Sequence, residues 1–194
     1  IKFITTNFYL MYGFFDPTND FDIVKGDQSN NNSLLSTIIN DIFFDSNGVA
    51  WFATNNGLSK LKNNQDVFTL KTEAKNANSI SIARDNTLWY AHDDGITSIN
   101  NLNEISNFRS DPTNANSLIT NETEKILITL RGLVWCASKY GGVTLFDPSS
   151  NKFTRFEGSS HSTSNLISGK INTIYEDMHG VIWFSSLNGV SKYE

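Results

Sequence analysis

The stretch DSNGVAWFATNNGLSKL, Asp45 to Leu61, sets a polar turn, an apolar run, a second turn and another alternating run end to end, and it returns as DMHGVIWFSSLNGVSKY, Asp177 to Tyr193. In each copy a four-residue segment beginning with Asp and ending with Gly offers a side-chain acceptor for local amides and a residue that takes positive φ without strain. The runs on either side are rich in β-branched and aromatic residues, so each copy reads as two successive hairpins.

Aligning on tryptophan extends the pattern to four copies: GVAWFAT at Trp51, NTLWYAH at Trp89, GLVWCAS at Trp135 and GVIWFSS at Trp183. Successive tryptophans lie 38, 46 and 48 positions apart, close to the spacing of propeller blades, and every tryptophan of the chain occupies the slot. Upstream of Trp51, STIINDIFF supplies a first strand; VAWFAT, LSKL and DVFTL follow as the second, third and fourth. The later units vary the plan. ISIARDNTLWYAHDDGITSIN reads as shorter in its first turn, VWCASKYGGVTLFDPSSNKFTRF turns at Gly141-Gly142 and at Asp147-Pro148, and the last unit carries three strands. No segment sustains a helical period; TNETEKILITL is too short and too β-branched.

A four-stranded sheet of this length cannot bury both its faces alone, and stacking such sheets radially solves the problem. The expected architecture is therefore all-β, a β-propeller of four-stranded antiparallel blades. Blade-like units fall at approximately 1–34 (partial), 35–76, 77–114, 115–168 and 169–194 (partial), within one propeller segment spanning 1–194. Trp51, Trp89, Trp135 and Trp183 then have a structural role, as equivalent and mostly buried second-strand residues packed between blades. FDIVKGD near the beginning reads as a fourth strand, so the two ends could complete one blade. The chain otherwise reads as about four blades, part of a larger ring. An uncovered blade face would favour self-association into a dimer.

Composition bounds the function. The chain has 194 residues, 39% of them hydrophobic and 18% charged, which suits a globular protein with a real core. Its net charge of -5 is scattered, leaving no basic stripe for nucleic acid and no polybasic membrane anchor. No apolar run is long enough to cross a bilayer, so membrane attachment would come through flanking segments. The single cysteine, Cys136, reads as a buried thiol after Trp135. His92, His161 and His179 lie in separate units and read as solvated loop histidines without zinc-pair spacing. The DSNG turn lacks the ligand spacing of a calcium loop. No cofactor, metal or catalytic residue is expected.

The repeated NDIFFDSNGVAWFATNNGLSKL and INTIYEDMHGVIWFSSLNGVSKY, with the connecting VKGDQSNNNSL and FRSDPTNANSL, resemble the two-component regulator propeller repeat of bacterial extracytoplasmic sensor regions. The third unit departs from the pattern, since ARDNTLW lacks the turn glycine and SINNLNEIS lacks Asp-Pro. The resemblance implies a periplasmic or extracytoplasmic sensor within a membrane-anchored signalling protein, whose output domain would be a histidine kinase or another module. It also implies a non-catalytic binding module, with carbohydrate or another small molecule as ligand. The alternatives are a propeller enzyme acting on polysaccharide, as a lyase or glycosidase, and a structural or dimerisation module.

In a propeller the turns between second and third strands open on the same side as the crossovers between blades. Here those turns are TNNG (54–57), HDDG (92–95), SKYGG (138–142) and SSLNG (185–189). They vary in charge and size on a repeating scaffold, as a recognition surface requires and as loops in general tolerate. The candidate ligand-binding residues are Asn55, Asn56, His92, Asp93, Asp94, Lys139, Tyr140 and Asn188: amides and carboxylates for hydroxyl groups, Lys139 for an acidic group, and Tyr140 as a flat ring.

Overall fold

A computed structural model of the chain describes residues 2–5, 10–13, 22–24, 33–61, 68–72, 76–157, 166 and 169–194. Among these there is no helix, and the strands fall into five antiparallel sheets, so the all-β, bladed expectation holds. The chain divides into two compact units, Ile1–Asn78 and Ser79–Glu194.

In the first unit, β1 (Lys2–Thr5), β2 (Leu10–Gly13) and β3 (Asp22–Val24) form a three-stranded sheet in sequential order. A strand was expected at FDIVKGD and β3 is that strand, but it is not the fourth strand of a blade shared by the two ends: it pairs with β2 as the third strand of its own sheet, apart from the sheet of the last three strands. A four-stranded sheet follows: β4 (Ile39–Phe44), β5 (Ala50–Thr54), β6 (Gly57–Leu61) and β7 (Phe68–Thr72). Its core joins Leu34, from the Asn-Ser-Leu segment, to Ala50 and Phe52. Phe43, Trp51 and Lys60 face one another across β4, β5 and β6, and the Lys60 ammonium sits 4.9 Å from the centre of the Trp51 ring.

The second unit holds three sheets. β8 (Ala77–Ile82), β9 (Leu88–His92), β10 (Gly95–Ile99) and β11 (Ile105–Phe108) form the first. β12 (Thr123–Ile128), β13 (Val134–Ser138), β14 (Val143–Asp147) and β15 (Lys152–Phe156) form the second, and β16 (Ile171–Glu176), β17 (Ile182–Ser186) and β18 (Gly189–Tyr193) the third. TNETEKILITL is thus a strand and its approach. The same register shift interrupts the pairing of β4, β12 and β16 with their second strands, between Ile39 and Asp41, Thr123 and Lys125, and Ile171 and Thr173.

The turns show why the repeat tolerates substitution. Asp45 Oδ1 accepts the amides of Asn47 and Val49, both at 2.9 Å, while Gly48 takes φ 74°. Asp177 does the same for His179 and Val181, with Gly180 at φ 80°. The ARDNT turn was expected to be shorter, yet it closes with the same backbone pair, Ala83 N–H to Thr87 O at 2.9 Å and Asn86 N–H to Ala83 O at 3.0 Å. Asn86, at φ 66°, takes the left-handed place of the glycine, which asparagine tolerates best among residues with a Cβ. Likewise Asn100 Oδ1 accepts the amides of Leu102 and Glu104, standing in for the aspartate of the Asp-Pro turn.

Packing between sheets follows the tryptophans. Trp89 meets Phe146 of the next sheet at 6.0 Å between ring centres, within a cluster that includes Ile96, Ile126, Val134 and Cys136. Trp135 in turn meets Phe184 at 5.2 Å and Tyr193 at 5.0 Å, both edge-on. Trp51, Trp89 and Trp135 are 8%, 5% and 1% exposed, but Trp183 is 38% exposed. It occupies the expected slot on the expected strand, but the expected burial does not hold for it. Cys136 is buried, and burial pushes its thiol well above the ordinary range, as a structural thiol requires.

Candidate functional site

The segment joining β11 to β12 carries the DPTNANSL motif, and its hydrogen bonds explain those residues. Asp111 Oδ1 accepts the Thr113 amide at 2.8 Å and its hydroxyl at 2.7 Å, making the turn at Pro112 and lowering the pKa of Asp111. Ser117 Oγ accepts the Asp111 amide at 2.8 Å. Asn116 reaches β15, accepting the Phe153 amide at 2.7 Å and donating to Asn151 O at 3.1 Å. Arg155, also on β15, closes the loop: Nε donates to Ser117 O at 2.9 Å, and Nη2 reaches the carbonyls of Asn114 and Leu118 and the Ser117 hydroxyl. The crossover is therefore tied to the outer strand of the following blade. Leu118 then enters the core.

This braced crossover forms one wall of an open groove of about 430 Å³, lined by Asp93, Asp94, Ser110, Pro112, Ile119, Thr120, Asn121 and Glu122. Asn121 Oδ1 accepts the Ser110 amide at 2.7 Å, and the Ser110 hydroxyl donates to Ile119 O at 3.2 Å, so the wall is internally tied. Arg109 pairs with Asp94 through Nε at 3.0 Å and Nη2 at 2.5 Å, and this lowers the pKa of Asp94. Both partners are exposed, so the pair orients the hairpin more than it stabilises it. The hairpin 92–95 and the crossover share a face, as propeller geometry anticipates.

The sequence candidates separate by position. Asp93 and Asp94 line the groove. Lys139 and Tyr140 border it through Glu122, whose carbonyl accepts the Lys139 amide at 2.9 Å and whose Oε1 accepts the Tyr140 hydroxyl at 3.3 Å. Tyr140 is 70% exposed, and its ring is available for stacking. Asn188 lies one blade further along, beside Gly169, which in turn abuts Gly141. Asn55 and Asn56 belong to the first unit, where Asn55 accepts from Asn40 at 3.0 Å and Asn56 donates to Leu35 O at 3.0 Å. Their side chains support local structure.

His92 departs from the solvated loop histidine expected of it. It is 7% exposed, while His179 is exposed as expected and His161 lies outside the described residues. Position 92 is the first residue of the hairpin turn, filled elsewhere by Thr54, Ser138 and Ser186, each accepting the amide two residues ahead on its hydroxyl. His92 uses its ring for the same bond: Nδ1 accepts the Asp94 amide at 3.2 Å. Nε2 therefore carries the proton and donates to Thr97 Oγ1 at 2.9 Å, whose own hydroxyl donates to Asn107 Oδ1 at 2.7 Å.

The crossover residues Arg109, Ser110, Asn121 and Glu122 were missed as candidates. Their signal in the sequence is the crossover itself, which opens on the same face as the hairpins.

The repeating sheets, with their shared register, bulge and tryptophan slot, define blades of a β-propeller. Residues 33–56 and 165–188 match the profile of the two component regulator propeller. Among solved structures it is similar to the extracellular domain of BT3049 from B. thetaiotaomicron, assigned to a hybrid two component system. The identity is 19% over 81% of this chain and 28% of that one, with a TM-score of 0.59. It is also similar to the extracellular domain of BT4673 from the same organism, at 14% identity, 99% and 32% coverage and a TM-score of 0.58. A third likeness is to the gluconolactonase XC5397 from Xanthomonas campestris, at 14% identity, 94% and 64% coverage and a TM-score of 0.66. At these identities the likeness is one of fold, and the chain spans about a third or less of the two extracellular domains. No curated protein matches it.

Proposed function

We propose that this chain is a non-catalytic ligand-sensing segment of an extracytoplasmic signalling receptor, and that the groove between the blades β8–β11 and β12–β15 is its recognition site. The observation that carries the reading is the braced crossover facing a variable hairpin: a rigid wall that carries Glu122, to which the exposed Tyr140 is bonded, opposed by Asp93 and Asp94. The lining is polar and rich in acceptors, with Arg109 and Lys139 beside it, which suits a small polyhydroxylated molecule such as an oligosaccharide. The family repeats and the extracellular location of two similar structures support the placement outside the cytoplasm.

Individual neutral hydrogen bonds net only about 0.5–1.5 kcal/mol, so affinity needs several of these groups at once. Calorimetry with an oligosaccharide panel, followed by product analysis, tests the reading. Binding without turnover is expected, and Tyr140→Ala and Asp93→Ala should each weaken it about tenfold, which is about 1.4 kcal/mol, with little change in melting temperature. Turnover would favour the enzyme alternative instead. Unaltered binding in both variants would place the site elsewhere.

Self-association is a second reading, favoured by the outer face of the last sheet. Tyr175, Trp183 and Val190 share that face and are exposed. Sedimentation analysis should then show a dimer that Trp183→Lys dissociates; a wild-type monomer would remove this reading.

A further inference from the structure

We propose that His92 is a proton-operated latch: taking up a proton breaks its bond to the Asp94 amide and releases the hairpin that presents Asp93 and Asp94 to the groove. Four equivalent turns differ in the acceptor at their first position. Thr54, Ser138 and Ser186 accept the third turn residue's amide on a hydroxyl, an acceptor that no ordinary pH alters. His92 alone accepts it on an imidazole nitrogen. Protonating that nitrogen turns the acceptor into a donor facing a donor, and the bond cannot survive.

The other ring nitrogen offers no escape by a change of tautomer. Its proton is committed to Thr97 Oγ1, which passes its own proton to Asn107 Oδ1 on β11, so the chain of bonds has a fixed direction. Reversing the ring's donor and acceptor roles would oppose the Asp94 amide. The ring is also packed beside Tyr90, 5.2 Å between centres, and is almost wholly buried, so water cannot readily take over the lost partner.

The charged groups acting on the ring come from its own turn and from the segment after β11. Burial lowers the histidine's pKa, Asp94 raises it, Arg109 lowers it and Asp93 raises it, with burial the largest, and the result lies below the ordinary value. The folded hairpin therefore binds the proton less readily than the opened one. Its stability is complete above the opened state's value, about 6.5, and is lost as pH falls from there through the lowered folded value. Opening would carry Asp94 away from Arg109 and remove one side of the groove.

The latch is a property of the hairpin and needs no ligand; only its control of binding rests on the sensor reading. Hydrogen exchange of the Asp94 amide, corrected for the intrinsic rate, tests it in the whole chain. In the wild type the opening equilibrium should rise by up to about tenfold for each pH unit below 6.5 until the folded value is passed. In His92→Thr, which restores the hydroxyl found at position 54, it should stay flat. The same pH response in both proteins, or a flat response in the wild type, would overturn the proposal. A second measurement needs no variant: the His92 ring resonances and the Asp94 amide shift should titrate together with one midpoint below 6.5, and separate midpoints, or one at or above 6.5, would equally overturn it.

Discussion

Trp135 and Trp183 occupy the same position on successive blades and solve opposite halves of one problem. Trp135 is 1% exposed, enclosed by Phe156, Phe184 and Tyr193, yet its indole N–H finds no partner among the described residues. Trp183 is 38% exposed, but its indole N–H donates to Asp177 Oδ2 at 2.8 Å. Trp51 combines both, being buried and bonded to Asp45 Oδ2 at 3.2 Å. The difference originates six residues upstream, where the aspartate of the first and last copies is replaced by Thr129. The slot is thus conserved within the chain for its packing, and the turn aspartate adds a hydrogen bond that the fold can omit.

The largest effect expected from this comparison is in the packing itself. Trp135→Ala should cost about 3–5 kcal/mol, because it empties a filled space between two blades. Trp183→Ala should cost less than half as much, since much of its ring is already in water. Urea denaturation of both variants measures the contrast. Equal losses would mean that the exposed tryptophan is covered in solution, and would direct attention to self-association.

A smaller effect concerns the crossover, where one cation replaces apolar packing. Arg155 donates to several carbonyls of the 111–118 loop from the outermost strand of the next blade. Arg155→Ala should destabilise by about 1.5–3 kcal/mol, the range for hydrogen bonds to a charged group. It should also raise exchange at the Asp111 and Ser110 amides, whereas Arg155→Lys, a point charge without the planar fork, should recover only part of the loss. If exchange in the crossover is unchanged, the loop is held by Asn116 and Ser117 alone, and the groove wall does not depend on its neighbour.

These contrasts also mark what the sequence could show. Tryptophan spacing and alternating runs revealed the blades because both express backbone periodicity, which each copy repeats. Asn86 and Asn100 obscured two turns, since they satisfy the same φ and acceptor needs as Gly and Asp with different letters. His92 reads as a solvated loop residue because it stands at a turn without zinc-pair spacing, whereas the ring folds back to bond its own turn. The exposure of Trp183 was illegible for another reason: burial there depends on what lies beyond the strand, and the local letters are the same in the buried and exposed copies. The groove required the crossover and hairpin to be placed side by side, which no single repeat encodes.

The smallest effect offers the sharpest test of the comparison. Thr129 Oγ1 accepts the Leu133 amide at 3.0 Å, doing one of the two tasks that Asp177 performs with its two oxygens. Thr129→Asp supplies the second oxygen in the register where the other copies present it to the indole. A hydrogen bond to a neutral partner nets about 1 kcal/mol, and here it also satisfies a buried donor. Against that stands the cost of bringing a carboxylate to a buried position. The gain should prevail at neutral pH, because the new carboxylate would pair an indole N–H that has no partner among the described residues. The added stability should be present where the carboxylate is ionised and disappear as acid protonates it. Calorimetry at neutral and acid pH, with the Trp135 indole resonance followed by NMR, measures both parts. A downfield indole shift without added stability would show that desolvation cancels the bond, and an unmoved resonance would show that the turn cannot bring its carboxylate to this tryptophan.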